Sequence, residues 1–180
     1  MKIVKRVLIG LAIVIAIPLV VALFVKQKYD IERQITIDRP NQEVFNYIKH
    51  LKNQDSYSKC ANMDPNMRKT FTGVDATVGF VSAWDSDDKD VGKGEQEILK
   101  ITEGKRVDFE LRFLEPFEST EKAYMTTESV SGNKTLVKWG FNGKMKYPMN
   151  LMFLFMDFDK MLGDDLQTGL DNLKTVLEKS

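Results

Sequence analysis

The sequence predicts an α+β domain in which a curved antiparallel sheet of about six to seven strands wraps around a long C-terminal helix, behind one transmembrane helix. Residues 67–145 read as short strands separated by turns, which is typical of antiparallel meanders. Residues 162–177 carry a single leucine stripe at helical spacing. An uncharged apolar run near the N-terminus is long enough to cross a bilayer.

The apolar run extends from Val7 to Val25 and contains 19 residues without a charged side chain. As a helix it would be about 28 Å long, close to the roughly 30 Å hydrocarbon core of a bilayer. Pro18 lies inside the run, where transmembrane helices tolerate proline. We therefore expect residues 1–26 to form a membrane anchor and residues 27–180 to form one domain.

Basic residues flank both ends of the predicted anchor. Lys2, Lys5 and Arg6 precede it, and Lys26 and Lys28 follow it. Because cationic flanks tend to stay in the cytoplasm, this pattern favours a cytoplasmic N-terminus and a domain outside the cytoplasm. In a bacterium, this arrangement is that of a single-pass protein of the inner membrane.

A cleaved signal peptide is the alternative interpretation of the same segment. Val20–Ala22 offers a weak cleavage site, and cleavage would release a secreted domain. The apolar run is longer than the roughly 7–15 residues usual in signal peptides. The length therefore favours a retained anchor.

Composition excludes several classes of function. From residue 26 onward the chain has 23 basic and 26 acidic residues, and this mixture gives no basic stripe for nucleic acid. The single cysteine, Cys60, excludes an internal disulfide. Neither the single histidine, His50, nor the acidic run Asp85–Asp90 has the spacing of a metal site. We expect no metal and no cofactor, and the sequence does not indicate the oligomeric state.

Alternation of apolar and polar residues locates the clearest strands. In residues 30–37, Ile31, Ile35 and Ile37 share one face with Arg33, and two short helices follow, the first beginning near Asn41. In residues 106–113, every second side chain is apolar, which predicts a half-buried strand.

Four stretches of the chain resemble one known superfamily. They are Ile37–Pro40, Met63–Met67, Val91–Gly94 and Tyr147–Met152. Together with the element order, they are similar to the helix-grip proteins of the SRPBCC superfamily (START-domain, pollen-allergen and polyketide cyclase/dehydrase-like proteins), and more narrowly to its membrane-tethered bacterial members. The resemblance covers nearly all of residues 30–178, but none of these stretches is a catalytic motif. The sequence departs from the pattern at Tyr57–Cys60, where such proteins commonly carry Ser-Pro-Trp.

The resemblance implies a cavity between the sheet and the long helix that holds an apolar ligand. The strands offer Trp84, Phe109, Leu111, Phe113, Met125, Trp139 and Phe141 to this cavity, and the start of the last helix offers Met149, Met152, Phe153 and Met156. Methionine side chains adapt to irregular space, which suits a loosely specific apolar pocket. The alternative is that the same residues form a filled core.

Four charged residues are candidates for polar groups in that cavity. Glu95 and Glu97 share a strand face, and Arg33 and Arg112 could pair with them. Both faces of that strand carry polar and apolar residues, so periodicity does not decide which face is buried. A buried carboxylate is costly unless it is paired or protonated.

The apolar run 149–158 has two interpretations. It could contact a bilayer, but an interfacial helix would carry Lys or Arg on its other face, and only Asn150 and Asp157 interrupt this run. We therefore expect this run to pack into the core at the start of the last helix.

These observations favour a membrane-anchored binding protein for an apolar small molecule or lipid. The first alternative is an enzyme of the cyclase or dehydratase type that uses polar groups in the same cavity. The second is a non-catalytic interaction module with a closed core. Binding is favoured because the predicted anchor is combined with aromatic and methionine-rich inward faces.

Overall fold

The computed structural model describes residues 2–179, which form two compact units. The first unit combines the N-terminal segment up to Tyr29 with residues 144–158, and the second combines residues 30–143 with residues 159–180.

Helix α1 (Lys2–Ala22) dominates the first unit. Compared with the predicted span Val7–Val25, the helix begins five residues earlier, at Lys2, and ends three residues earlier, at Ala22. Its stretch Ile3–Ala22 has a mean hydropathy of 2.4 and is long and apolar enough to cross a membrane. The helix ends in a tight turn, in which the N–H groups of Leu23 and Phe24 donate to the carbonyls of Val20 and Val21.

The described part of the chain contains one seven-stranded sheet with the order β1-β7-β6-β5-β4-β3-β2. From β2 to β7, each strand pairs in an antiparallel direction with the next strand along the chain. The strands are β1 (Lys28–Ile37), β2 (Arg68–Thr72), β3 (Val81–Asp85), β4 (Lys93–Thr102), β5 (Arg106–Glu115), β6 (Ser119–Ser129) and β7 (Thr135–Lys144). This sheet, with its terminal helix and the short helices after β1, confirms the predicted α+β helix-grip fold.

Strand β3 is only five residues long. The chain turns before it, with φ values of 60° at Ala76 and 85° at Gly79, and the strand begins only at Val81. These left-handed conformations interrupt strand pairing, because extended backbone requires negative φ.

Four helical segments accompany the sheet in the second unit. Helix α2 (Asn41–Ile48) buries Val44, Phe45 and Ile48, and two short 3₁₀ helices follow it. Helix α3 (Phe158–Glu178) buries the predicted leucine stripe at Leu166, Leu170, Leu173 and Leu177. The stripe packs against the sheet because it is the only broad apolar face of this helix.

The last helix begins later than the sequence suggested. Met149–Leu154 forms a separate 3₁₀ helix, called here the 149–154 helix, and α3 starts at Phe158. The expectation that this run packs into the core is wrong for several of its side chains, since Leu154 is 55% and Phe155 84% exposed. The short helix belongs to the unit of α1.

Gly169 permits the close approach of α3 to the sheet. A Cβ atom at this position would lie 2.7 Å from the indole ring of Trp139, which is only 8% exposed. We expect Gly169→Ala to lower the free energy of unfolding, because overpacking costs about 1–3 kcal/mol and the gain in helix propensity is only about 1 kcal/mol. Chemical denaturation of the purified protein measures this change.

Thr168→Ala on the exposed side of the same helix is the matched control. It changes helix propensity without adding an atom against the sheet. If Gly169→Ala were as stable as the wild type or more stable, the contact between this glycine and Trp139 would not limit the packing of α3.

Candidate functional site

The candidate site lies on the inner face of the sheet, which we define as the face that carries Trp139 and packs against α3. Side chains alternate between faces along each strand, so the register determines which residues share this face. One inner row contains Ile98, Phe109, Ala123 and Phe141, the next contains Gln96, Leu111 and Glu121, and the next contains Gly94, Phe113 and Ser119.

Tyr57 fills the middle of the space between this face and α3. Its side chain is fully buried, and its hydroxyl donates to the Met125 sulfur at 3.6 Å. Its ring meets the Trp139 ring edge-on at a centroid distance of 5.8 Å. Asn172 of α3 donates to the Tyr57 carbonyl at 3.1 Å, and burial raises the pKa of the phenol. This part of the inner face is therefore a packed core.

A second part of the inner face remains half open. Trp84, Leu111 and Phe113, called here the apolar platform, are only half-buried. The Trp84 ring lies over Gly94, where a Cβ atom would be 2.4 Å from the indole. The rings of Trp84 and Phe113 meet edge-on at 5.8 Å. Glycine at position 94 thus allows the indole to lie across β4 beside Phe113.

Two buried polar side chains lie next to the apolar platform. Gln96 is 9% and Glu121 7% exposed, and both are register partners of Leu111. Neither residue was identified as functional from the sequence. Glu121 nevertheless lies two and four residues before Ala123 and Met125 on the same strand, so it shares their face. The site therefore combines an apolar surface with a small number of polar groups.

The predicted cavity residues fall into three groups. Phe109, Met125, Trp139 and Phe141 are buried in the core, whereas Trp84, Leu111 and Phe113 form the platform. The other four lie in the unit of α1, where Met152 and Phe153 are half-buried, Met149 is 49% exposed and Met156 is 39% exposed. Phe153 packs against Tyr29 at 5.7 Å and Phe158 at 5.0 Å.

Three of the four charged candidates meet on the outer face of the sheet. Arg112 donates to Glu95 at 2.6 Å, to Glu97 at 2.8 Å and to Glu110 at 2.8 Å. They occupy the outer face because they alternate with Gln96, Leu111 and Phe113 along β4 and β5. Hydrogen bonds to these carboxylates raise the pKa of Arg112.

Arg33 lies on β1 and does not join this cluster. It pairs with Asp159 of α3 at 3.0 Å, and the absence of a side chain at Gly163 makes room for its guanidinium group. The four charged candidates therefore do not converge on the inner face. Within residues 2–179, no group of three or more His, Cys, Asp and Glu side chains is placed to hold a metal ion.

An open groove of about 670 Å³ lies on the outer face beside Tyr124. The Tyr124 hydroxyl donates to Glu32 at 2.5 Å, and Lys138 approaches the same carboxylate at 3.3 Å. The Arg106 guanidinium stacks on the Tyr124 ring at 4.0 Å. These contacts form a closed network in which each charge has a partner, which is typical of a structural role.

The Tyr124 network gives a titration that can be tested. Burial, together with the hydrogen bond to Glu32, raises the pKa of Tyr124 from its ordinary value of 10.0 to about 12. Because the unfolded chain loses this proton first, the contribution of Tyr124 to stability should be lost as pH rises from about 10 through 12. We expect the absorbance titration of tyrosinate to show one transition near pH 12 that disappears in Tyr124→Phe. If the variant and the wild type gave the same titration curve, this assignment would be wrong.

Comparisons with known proteins agree with this geometry. The fold is similar to that of norcoclaurine synthase from Thalictrum flavum (8% identity, TM-score 0.61, covering 83% of this chain and 93% of that one). It is also similar to a protein from Nitrosospira multiformis (13% identity, TM-score 0.59, covering 82% of this chain and 94% of that one). A protein from Thermobifida fusca is similar to the same degree (13% identity, TM-score 0.59, covering 81% of this chain and 90% of that one). At these identities the likeness shows the fold alone, and no curated protein matches the chain in sequence. A family model described as polyketide cyclase / dehydrase and lipid transport matches residues 28–178, so the chain belongs to that family.

Proposed function

We propose that this protein is a membrane-anchored binding protein that holds an apolar small molecule or lipid against the apolar platform. The observation that carries the proposal is the half-open state of Trp84, Leu111 and Phe113 beside the buried core of the same sheet face. Ligand sites are mostly apolar and aromatic surfaces with a few polar groups that fix orientation. Membership of a family whose description includes lipid transport supports the same conclusion.

The polar neighbours of the platform indicate a ligand with one polar end. Gln96 and Glu121 flank Leu111 on the same face and are almost fully buried. In mostly apolar pockets, a small number of polar side chains fixes the orientation of the ligand. An amphipathic molecule, such as a lipid with a single polar head, meets both requirements.

Membrane anchoring by α1 is the second part of the proposal. The stretch Ile3–Ala22 contains 20 residues, and its side chains are exposed from Ile3 to Val21. In water such a surface is strongly unfavourable, whereas a bilayer core of about 30 Å accommodates it. The basic residues before the helix favour a cytoplasmic N-terminus and a domain on the opposite side.

A contact of Asn150 supports retention of the helix over its removal as a signal peptide. The Asn150 side chain is fully buried and donates to the carbonyls of Ala22 at 2.7 Å and Val25 at 2.9 Å. These carbonyls lie on either side of the bond after Ala22, where a signal peptidase would cut. Cleavage there would remove the first of the two acceptors and leave a buried amide with an unmet hydrogen bond.

The two tryptophans allow a direct test of the platform. Trp84 belongs to the platform, whereas Trp139 is packed beneath α3. We expect a dibrominated fatty acid to quench, in a saturable manner, the fluorescence of the Trp139→Phe variant, in which Trp84 is the remaining indole. Bromine quenches only at short range, so the Trp84→Phe variant should lose much less of its fluorescence.

Circular dichroism of both variants checks that each remains folded, and an unbrominated fatty acid of the same length corrects for effects unrelated to quenching. Equal quenching of the two variants, or quenching of neither, would count against binding at the platform.

A further inference from the structure

The unit that contains α1 also contains a groove that the platform site does not use. The groove lies between Val14, Ile15, Pro18 and Leu19 of α1 and Pro148, Met149, Leu151 and Met152 in and beside the 149–154 helix. Its volume is about 440 Å³, within the range of about 300–1,000 Å³ found for small-molecule pockets. All eight lining side chains are apolar.

We propose that this groove binds the acyl chain of a bilayer lipid, with the 149–154 helix immersed in the membrane beside α1. This inference rests on one part of the proposed function, namely that α1 spans the membrane, and it does not depend on ligand binding at the platform. The depth of the groove in the membrane identifies its ligand. The α1 residues that line the groove lie three to eight residues before Ala22, which is about 5–12 Å along the helix from its C-terminal end. In a spanning helix, this depth is inside the hydrocarbon region, where acyl chains are the available ligand.

Asn150 fixes the 149–154 helix at this depth. The last carbonyls of an α-helix have no intrahelical donor, and inside a membrane an unpaired carbonyl is especially costly. The two hydrogen bonds from Asn150 to Ala22 and Val25 provide such donors. The backbone N–H of Met145 also donates to the Gln27 carbonyl at 2.8 Å, so the chain on both sides of Pro148 is tied to the C-terminal end of α1.

The side chains around the end of α1 have the distribution of a membrane boundary. Phe24 and Phe155 are 85% and 84% exposed, and Leu23 and Leu154 are 67% and 55% exposed. Lys26 lies close to them, with its ammonium group 5.7 Å from the Phe153 ring centroid. Apolar side chains beside a lysine suit the interface, where the lysine can reach lipid phosphates while the apolar groups enter the acyl region.

The charge argument from sequence had rejected membrane contact because residues 149–158 contain no Lys or Arg. The cations of this unit come instead from neighbouring segments, including Lys26 and Lys146. An interfacial surface assembled from separate parts of the chain does not need its charges on the same helix.

The test uses the full chain in nanodiscs of phosphatidylcholine that contain a small fraction of phosphatidylcholine with a diazirine on its acyl chain. After illumination, peptide mass spectrometry locates the lipid adducts. We expect adducts on Ile3–Ala22 and also on Met149, Leu151 or Met152. Leu151→Trp, which fills the groove, should lower the adducts on residues 148–152 at least about fivefold.

Phe155→Trp is the matched control, since Phe155 lies in the same segment but does not line the groove. It should leave the adducts on residues 148–152 unchanged, and circular dichroism should show that both variants keep a folded sheet. Adducts on α1 without adducts on residues 148–152, or an equal loss in both variants, would overturn the groove proposal alone. Failure to label α1 at all would overturn the anchoring and the groove proposal together.

Discussion

Alternation of side chains along β4, β5 and β6 determines which face of the sheet can hold an apolar ligand. Because Leu111 and Phe113 face inward, Arg112 between them must face outward, and its carboxylate partners on β4 and β5 follow it. The outer face is therefore a surface of ion pairs, while the inner face has few charges. A slip of one residue in this register would exchange the two faces and destroy the site.

Tyr57 divides the inner face into a packed part and an open part. Its buried ring lies against Trp139 and Met125, and Lys59, two residues later, pairs with Asp165 of α3. The segment 57–60, where the sequence departs from the superfamily pattern, thus joins the sheet to the helix. We infer that the departure limits the space for ligand to the side of the apolar platform.

Local periodicity predicted the fold class, most strands and the leucine stripe of α3, because each of these buries one face of a regular element. It could not assign Glu95 and Glu97 to a face, since β4 carries polar and apolar residues on both sides and only pairing with Arg112 decides. It also misread the run that contains Phe155, because a core segment and an exposed apolar segment have the same composition. The contact between Asn150 and the end of α1 joins residues more than 120 positions apart, which no local pattern reveals.

The central claim is that the apolar platform binds a ligand, and native mass spectrometry of the full chain, extracted gently from its membrane, tests it most directly. The account predicts one stoichiometric apolar adduct that is lost in Trp84→Ala but retained in Leu114→Ala, whose side chain follows Phe113 on the same strand and is 52% exposed. A lipid in the α1 groove would not depend on Trp84. If no adduct depended on Trp84, even after the dibrominated fatty acid was added, the platform would not be a binding site.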